Sequence, residues 1–274
     1  MSADSGIRTA SAPSPALLRA IFDAKYGAAD DLGWGPRQRL RFGYYTPDDH
    51  YEALLASLVF EGCRWADIGC GRDIFPSNPG LARRLTGSAA LVVGIDPDAN
   101  VHDNVLLDER FCGPVEDYES ARRFDLITLR MVAEHIAQPR RVVAKLGELA
   151  APGCLAVIYT PAKYAPASIL AALTPMRTHH LAKKLLWQAH ERDTFPVRYK
   201  MNTRSALTRL FRQHGFEETL FCHLDDCRAS NRFRRLNLLE LSSWRLLRRL
   251  GLRYPECCLL GVYRRLGTET RQPM

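Results

Sequence analysis

The chain has 274 residues, 46% of them hydrophobic, enough to bury a sizeable core in one large domain and to exclude wholesale disorder. No stretch approaches the roughly 20 consecutive apolar residues of a membrane span, and the Ser/Ala/Pro-rich start, 1–15, lacks the regions of a secretion signal, so it reads as a tail on a cytoplasmic protein. The net charge of +8 is concentrated in one place: from Arg228 to Arg253 eight arginines face the single acid Glu240, which gives that segment +7 and argues against a chain that coats nucleic acid.

In chain order, 16–26 and 50–58 read as helices, the second behind Thr46, which can cap it, and Pro47, suited to a first helical position. Short apolar runs at 64–68, 90–95, 125–129 and 155–159 then alternate with helical patterns, the rhythm of an α/β, doubly wound parallel sheet. Pro79 opens a helix after the long loop 72–78, and the helix 140–150 stops at Pro152-Gly153 before the fourth strand. Beyond Pro161 comes a lid or insertion, 162–201, with helical pieces at 167–173 and 180–189 and a turn at Asp193-Thr194-Phe195-Pro196. Asn202-Thr203 caps a helix at 204–214 that ends on Gly215, 216–224 is a strand, and 257–263 can pair with it. Between those two strands, 225–256 forms a basic helical insertion. The expected organisation is one domain over 16–265, with 16–60 as an N-terminal helical cap and 266–274 as a second tail.

Eight cysteines are scattered, several inside apolar runs, as buried free thiols would be. Cys222, His223 and Cys227 lie close together, but a fourth ligand at suitable spacing is missing, so no metal site is expected.

The strongest local pattern is Trp65-Ala66-Asp67-Ile68-Gly69-Cys70-Gly71, an apolar strand entering a Gly-x-Gly turn. Glycines there let the backbone turn sharply and approach a ligand closely, although two glycines can also serve only a tight strand-to-helix turn. The next strand, Leu91 to Ile95, ends on Asp96, whose carboxylate can accept both hydroxyl hydrogens of an adenosine ribose. Asp96 stands 25 residues after Gly71 where nucleotide folds place it about 20 on, and the loop 72–78 accounts for the excess. Position 74 is Ile, not the third glycine that a pyrophosphate cradle needs, which argues for a nucleoside without phosphates and against a nicotinamide oxidoreductase.

With Asp67-Ile-Gly-Cys-Gly71, Gly94-Ile-Asp96, Phe124-Asp-Leu-Ile-Thr128, Glu134-His135 and Ala151-Pro-Gly153 in this order, the sequence resembles the class I S-adenosylmethionine-dependent methyltransferases, from Arg64 through Tyr159 and more loosely to Arg264. The resemblance implies a three-layer, mostly parallel, seven-stranded Rossmann-like sheet with helical insertions. It implies S-adenosyl-L-methionine as cofactor and S-adenosyl-L-homocysteine as product. Asp67, Gly69 and Gly71 would lie at the methionine part, Asp96 and Pro97 at the ribose, Val115 and Glu116 at the adenine, and Leu129 and Arg130 again at the methionine. Tyr45 is added as a residue able to reach the cofactor carboxylate. Pro114 stands where many relatives carry an acid, a departure at the adenine edge.

Methyl transfer from a sulfonium is an in-line displacement that positioning largely catalyses, and a hydroxyl acceptor also needs a base. The candidates are His135, early in the helix after the third of the four runs, and His179, His180 and His190, within the lid; His190 and His135 are singled out, and each has a structural alternative as a helix-end or helix-orienting residue. The helix 236–250 carries apolar residues at 236, 239, 246, 247 and 250, with Ser243 a weak match, so that face can bury. Its arginines, within 228–253, can dock anionic lipid headgroups as a peripheral membrane contact, bind an acidic substrate, or be a solvated face with only Trp244 available as an interfacial aromatic.

The leading reading is a small-molecule O-methyltransferase whose acceptor, anionic on the charge argument, is a glycan, a lipid-linked intermediate or a secondary metabolite. The alternatives are an RNA or other nucleic-acid methyltransferase and a non-catalytic S-adenosylmethionine-binding module. Thr128-Leu-Arg-Met131 stands where DNA methyltransferases of this resemblance carry Asn/Asp-Pro-Pro-aromatic or Pro-Cys, which disfavours both DNA classes and leaves RNA as the nucleic-acid alternative.

Overall fold

The computed structural model describes residues 10–28, 30–173 and 196–267. Among them the chain runs α1 (Pro15–Tyr26), α2 (Trp34–Phe42), α3 (Pro47–Leu58), β1 (Arg64–Ile68), α4 (Pro79–Ser88), β2 (Leu91–Asp96), β3 (Glu109–Cys112), β4 (Phe124–Arg130), α5 (Pro139–Leu149), β5 (Ala150–Pro161), α6 (Pro166–Leu173), α7 (Arg204–Gln213), β6 (Phe216–Asp225), α8 (Arg234–Arg249) and β7 (Cys257–Arg265). The seven strands form one sheet in the order β3-β2-β1-β4-β5-β7-β6. β1 to β5 pair in parallel, and β7 is wedged antiparallel between β5 and β6. This is the expected doubly wound architecture, with the order reversing at β1 so that a crevice opens beyond the carboxyl ends of β1 and β4.

Strand alternation divides the core into two layers. Ala66, Ile68, Val93, Ile95, Ile127 and Leu129 face α5 and α7, whose Val143, Leu146, Leu207 and Phe211 cover them. The alternate residues Trp65, Val92, Leu126, Val157 and Tyr159 face α1, α3 and α4, which contribute Ile21, Leu54, Leu55 and Leu81. On this second face a polar residue replaces an apolar one three times near the strand ends, at Asp67, Thr128 and Arg130, and those are the residues that later matter.

Two elements carry no apolar stripe and were not foreseen. α2 buries only Arg39 among its nine residues, and β3 is an edge strand with Glu109, Arg110 and Cys112 exposed, so neither leaves a periodic signal. β5 begins at Ala150, ahead of the expected 155: the strand pairs with β4 through a register shift between Phe124 and Leu126, and Pro152-Gly153 sits inside it at that irregularity. The helical piece expected at 180–189 and the turn from Asp193 lie outside the described residues, apart from Pro196.

The face expected to bury on the basic helix is corrected. α8 packs through Asn237, Leu241 and Trp244, which meet Tyr44 and Cys227, whereas Leu236, Leu239, Leu246 and Leu250 are each more than half exposed. The polar Asn237 buries because it donates to Asn231, and the indole N–H of Trp244 donates to Asp225. These two donated hydrogen bonds, with Leu241 between them, hold the inward face in place of the leucines, while Asn237 Oδ1 is left buried without a partner among the described residues. Trp244 is accordingly not available as an interfacial aromatic.

α3 starts with a full capping box: Thr46 Oγ1 accepts from the Asp49 N–H at 3.2 Å, and Asp49 Oδ2 accepts from the Thr46 N–H at 2.9 Å. Thr46→Ala is expected to lower the unfolding free energy by about 1 kcal/mol, read as a shifted urea midpoint at unchanged slope.

Candidate functional site

β1 delivers the chain to its bend. Gly69 and Gly71 both adopt left-handed backbone, φ 69° and 50°. A Cβ at Gly69 would lie 2.1 Å from Val132 Cγ2, so the glycine lets the turn after β4 close onto the turn after β1. A Cβ at Gly71 would meet nothing within 4 Å, so this glycine answers only to its backbone conformation. The Gly71 N–H donates to Asp96 Oδ2 at 2.8 Å, and the Asp98 N–H donates to Asp96 Oδ1 at 2.8 Å. The carboxylate at the end of β2 is therefore fixed in orientation beside the bend, and a carboxylate with about four acceptor positions can take sugar hydroxyls in addition. Arg72 ties the same bend to Asn100, and Asn104 reaches the Gly71 carbonyl.

Position 74 has a structural use that explains the absent third glycine. Ile74 and Phe75 are buried, and Phe75 contacts the rings of Tyr51 and Trp65, so the loop plugs into the core instead of wrapping phosphates. Asn78 ends that loop by capping α4 through the Leu81 N–H and donating to Glu52 Oε2 at 2.8 Å.

Of the other expected cofactor residues, Asp67 is buried behind the bend. Thr128 donates to its Oδ1 at 2.5 Å while accepting from the Trp65 indole at 2.7 Å, and burial pushes the Asp67 carboxyl up to about 7. Pro97 is exposed beyond Asp96. Val115 is buried and Glu116 half-buried in a short 3-10 turn, next to Gly113, whose N–H donates to the Asp96 carbonyl at 2.9 Å. Leu129 is fully buried, whereas Arg130 turns to the α3 side. Tyr45 rests its ring against Phe22 and His50, and α3 brings Tyr51 over the strand ends, stacked on Tyr159 at 5.1 Å.

Over the ends of β4 and β5 sits a cluster the sequence did not reveal. Asp48 Oδ1 lies 3.4 Å from Arg130 Nη2, and its other oxygen accepts from Arg228, which also holds Asp226 through two bonds of 2.7 Å. Burial opposes the Asp48 charge, but Arg228 and Arg130 outweigh it and keep the carboxyl below its ordinary range. Asp48 and Arg228 stand 180 residues apart, so no local pattern could pair them.

The turn after β4 departs from an ideal path at Met131, φ 56°, whose N–H donates to the Tyr159 carbonyl at 2.7 Å. His135 lies in this turn and not early in a helix, since α5 starts only at Pro139. Its Nδ1 meets the Pro196 carbonyl at 3.3 Å, which requires a proton on Nδ1 and makes Nε2, 3.9 Å from Glu134 Oε1, the basic nitrogen of the neutral ring. Glu134 is buried, accepts from Thr160 at 2.8 Å, and has its carboxyl pushed up by that burial; Asn202 in turn donates to Thr160 at 2.7 Å. His190, like His179 and His180, lies outside the described residues.

A seven-stranded sheet of this order, with a glycine bend after β1 and an acid ending β2, defines a class I, Rossmann-like methyltransferase. A family model described as a methyltransferase domain matches residues 38–219, and the chain belongs to that family. The chain is 32% identical over 108 residues to a ubiquinone biosynthesis O-methyltransferase of Rhodopseudomonas palustris, covering 36% of this chain and 40% of that one. It is 27% identical over 181 residues to the enzyme of the same name from a Bradyrhizobium species, covering 58% and 67%. The matched stretch thus spans only 40% of the length of the first of these relatives. The solved complex between the Trm112 methyltransferase activator and a methyltransferase of Haloferax volcanii shares the fold, at TM-score 0.52 and 15% identity over 90% of this chain and 98% of that one. S-adenosylmethionine is the cofactor of this family, and the residues present fit it: an oriented carboxylate for a ribose, an open approach at Gly71, and a buried Ile74 in place of the third glycine of a phosphate cradle.

Asp96→Ala is expected to lower S-adenosylhomocysteine affinity by about 100-fold or more by calorimetry, the loss of two charge-assisted hydrogen bonds to a ribose at roughly 1.5–3 kcal/mol each. Asp67 predicts a pH effect. Its folded pKa of about 7 lies above the ordinary value of 3.8, so the native state holds the extra proton between these limits. The stability it contributes is complete below pH 3.8 and lost as pH rises through 7. Asp67→Asn, which still accepts from Thr128, should remove that component, so the wild type loses stability relative to the variant as unfolding is measured from acid to mildly alkaline pH.

Proposed function

We propose that the protein transfers the methyl group of S-adenosylmethionine to a hydroxyl oxygen of a small molecule. The observation that carries this reading is the pairing of the Gly71 N–H with the Asp96 carboxylate at the mouth of the crevice, with the β4 turn packed against the same bend. Bound there, S-adenosylmethionine supplies an electrophilic methyl on a sulfonium. The chain's own work is to bind, to orient and to take up a proton. Asp96 grips the ribose, the bend at 69–71 and Leu129 border the methionine part, and Val115 with Glu116 border the adenine. The relatives named for O-methylation in ubiquinone biosynthesis support a hydroxyl acceptor.

The acceptor side lies where α3 crosses the ends of β4 and β5. Asp48, Arg130 and Arg228 supply fixed charges there, which favour an acceptor with polar or anionic groups near the reacting hydroxyl. His135 is the base assigned to the hydroxyl proton: the Pro196 carbonyl sets its tautomer, and Glu134, itself held by Thr160, lies beside Nε2. The lid role of 162–201 and the cap role of 16–60 belong to this proposal, as does a base at His190 should the assignment to His135 fail.

The reading is tested by incubating the protein with labelled cofactor and a panel of phenolic, glycan and lipid-linked hydroxyl acceptors. Labelled methyl ether and S-adenosylhomocysteine are expected in equal amounts; cofactor binding with no turnover across the panel would instead favour a non-catalytic binding module. With an acceptor in hand, His135→Ala is expected to lower kcat by about 100-fold or more at unchanged S-adenosylhomocysteine affinity. An unaltered kcat in that variant and a reduced one in His190→Ala would move the base to position 190.

A further inference from the structure

α8 carries its leucines outward. On a helical wheel at about 100° per residue, Leu236, Leu239, Ser243, Leu246 and Leu250 share one narrow arc. All four leucines are more than half exposed, as are Phe233 before the helix and Leu252 after it. The opposite arc is spent on Asn237, Leu241 and Trp244, which dock the helix onto Tyr44. An apolar ridge on a helix already anchored by its other face has no packing use inside this chain as described.

The charges beside the ridge are of one sign. Arg235 and Arg249 are exposed on its margin, and Arg253 follows just beyond the helix. Arg234, Arg245 and Arg248 lie over the rings of Trp34, Phe42 and Trp244, which holds three further cations near the docked face of the helix. The one acid, Glu240, is turned to Ser230 and Tyr254 and so does not answer these cations across the ridge. No helix among the described residues is long and apolar enough to cross a membrane.

We propose that this ridge is a docking surface for an anionic phospholipid bilayer, with α8 lying in the plane of the interface. Leucines and a phenylalanine enter the headgroup–acyl boundary while the marginal arginines meet lipid phosphates, the arrangement of an interfacial amphipathic helix. A neutral protein surface would satisfy the leucines but leave the arginines without counter-charges, and a second copy of this chain would oppose arginine to arginine. The complementary occupant is an apolar layer beneath a sheet of negative charge. The inference does not depend on the acceptor proposed above, because it requires no turnover.

The test is flotation of the full-length protein with vesicles of phosphatidylcholine alone and of phosphatidylcholine mixed with phosphatidylglycerol. Wild type is expected to float with the mixed vesicles, weakly or not at all with the neutral ones, and less as salt is raised. Leu239→Asp combined with Leu246→Asp should cut partitioning by roughly 100-fold. Arg235→Glu combined with Arg249→Glu should cut it at least ten-fold and flatten the salt dependence. Because all four positions are exposed, far-UV dichroism and S-adenosylhomocysteine affinity should match wild type; if the aspartates disturb the helix, Leu239→Gln with Leu246→Gln replaces them. Absence of wild-type flotation, equal flotation in the leucine variants, or a concentration-dependent dimer abolished by those variants without vesicle binding would each overturn the proposal.

Discussion

The bend at 69–71 and the carboxylate at 96 constrain one another, and most of the functional half of the molecule is arranged around that pair. Gly71 can donate to Asp96 only because its backbone is left-handed, and Asp96 can receive that bond only because β2 ends level with β1 in register, Ile68 opposite Ile95. Gly69 adds a second constraint, since the β4 turn reaches it through Val132 at a distance that any side chain would forbid. Three strand ends are thereby locked at one place. A ligand that touches all three meets a preformed surface and loses less free energy to ordering loops on binding.

Behind this surface the sheet keeps a polar chain in an otherwise apolar layer. Trp65 donates to Thr128 and Thr128 donates to Asp67, so one hydroxyl satisfies both neighbours. The arrangement explains why Asp67 is tolerated in the core with its carboxyl pushed up to about 7: the protonated form is cheap to bury, and the ionised form retains one strong donor. The Asp48, Arg130, Arg228 and Asp226 cluster solves the same problem differently, with formal charges paired across three segments of the chain. Removing one member of this part-buried cluster leaves its partner's charge uncompensated, so the cluster fixes how α3 and the segment after β6 sit over the strand ends.

The cofactor half was legible in the sequence because its signals are local. A strand of five residues, a glycine pair, a second strand and its terminal acid all fall within 64–96, and β1 ends where the apolar run does. α2 and β3 escaped because burial, not composition, decides where periodicity is visible: α2 is half-buried along most of its length and β3 is mostly exposed. The α8 face was misread for a related reason. Leucine spacing shows that a helix has an apolar side but not which side the protein uses, and here the hydrogen bonds of Asn237 and Trp244 decided against the leucines. Asp48 with Arg228, and Glu134 with Thr160 and Asn202, are pairings across the fold that no spacing announces.

The boundary of the family match gives these observations a division of labour. The matched residues, 38–219, contain the bend, Asp96, both members of the Asp48–Arg130 pair and His135, and end within β6. Arg228 and the whole of α8 follow that boundary. The segment after β6 therefore does two things with one covalent connection: Arg228 reaches back to close the charge cluster over the strand ends, and six residues on the same chain begins the helix whose leucines face outward. Tyr44 links the two, accepting the Cys227 N–H at 2.8 Å, donating to the Asp225 carbonyl at 3.1 Å and packing its ring on Trp244. Whatever meets the outer face of α8 is thus connected through a buried tyrosine to the charge cluster over the strand ends. Any displacement of that helix must be paid in the hydrogen bonds of Tyr44 and Trp244 before it reaches Asp48.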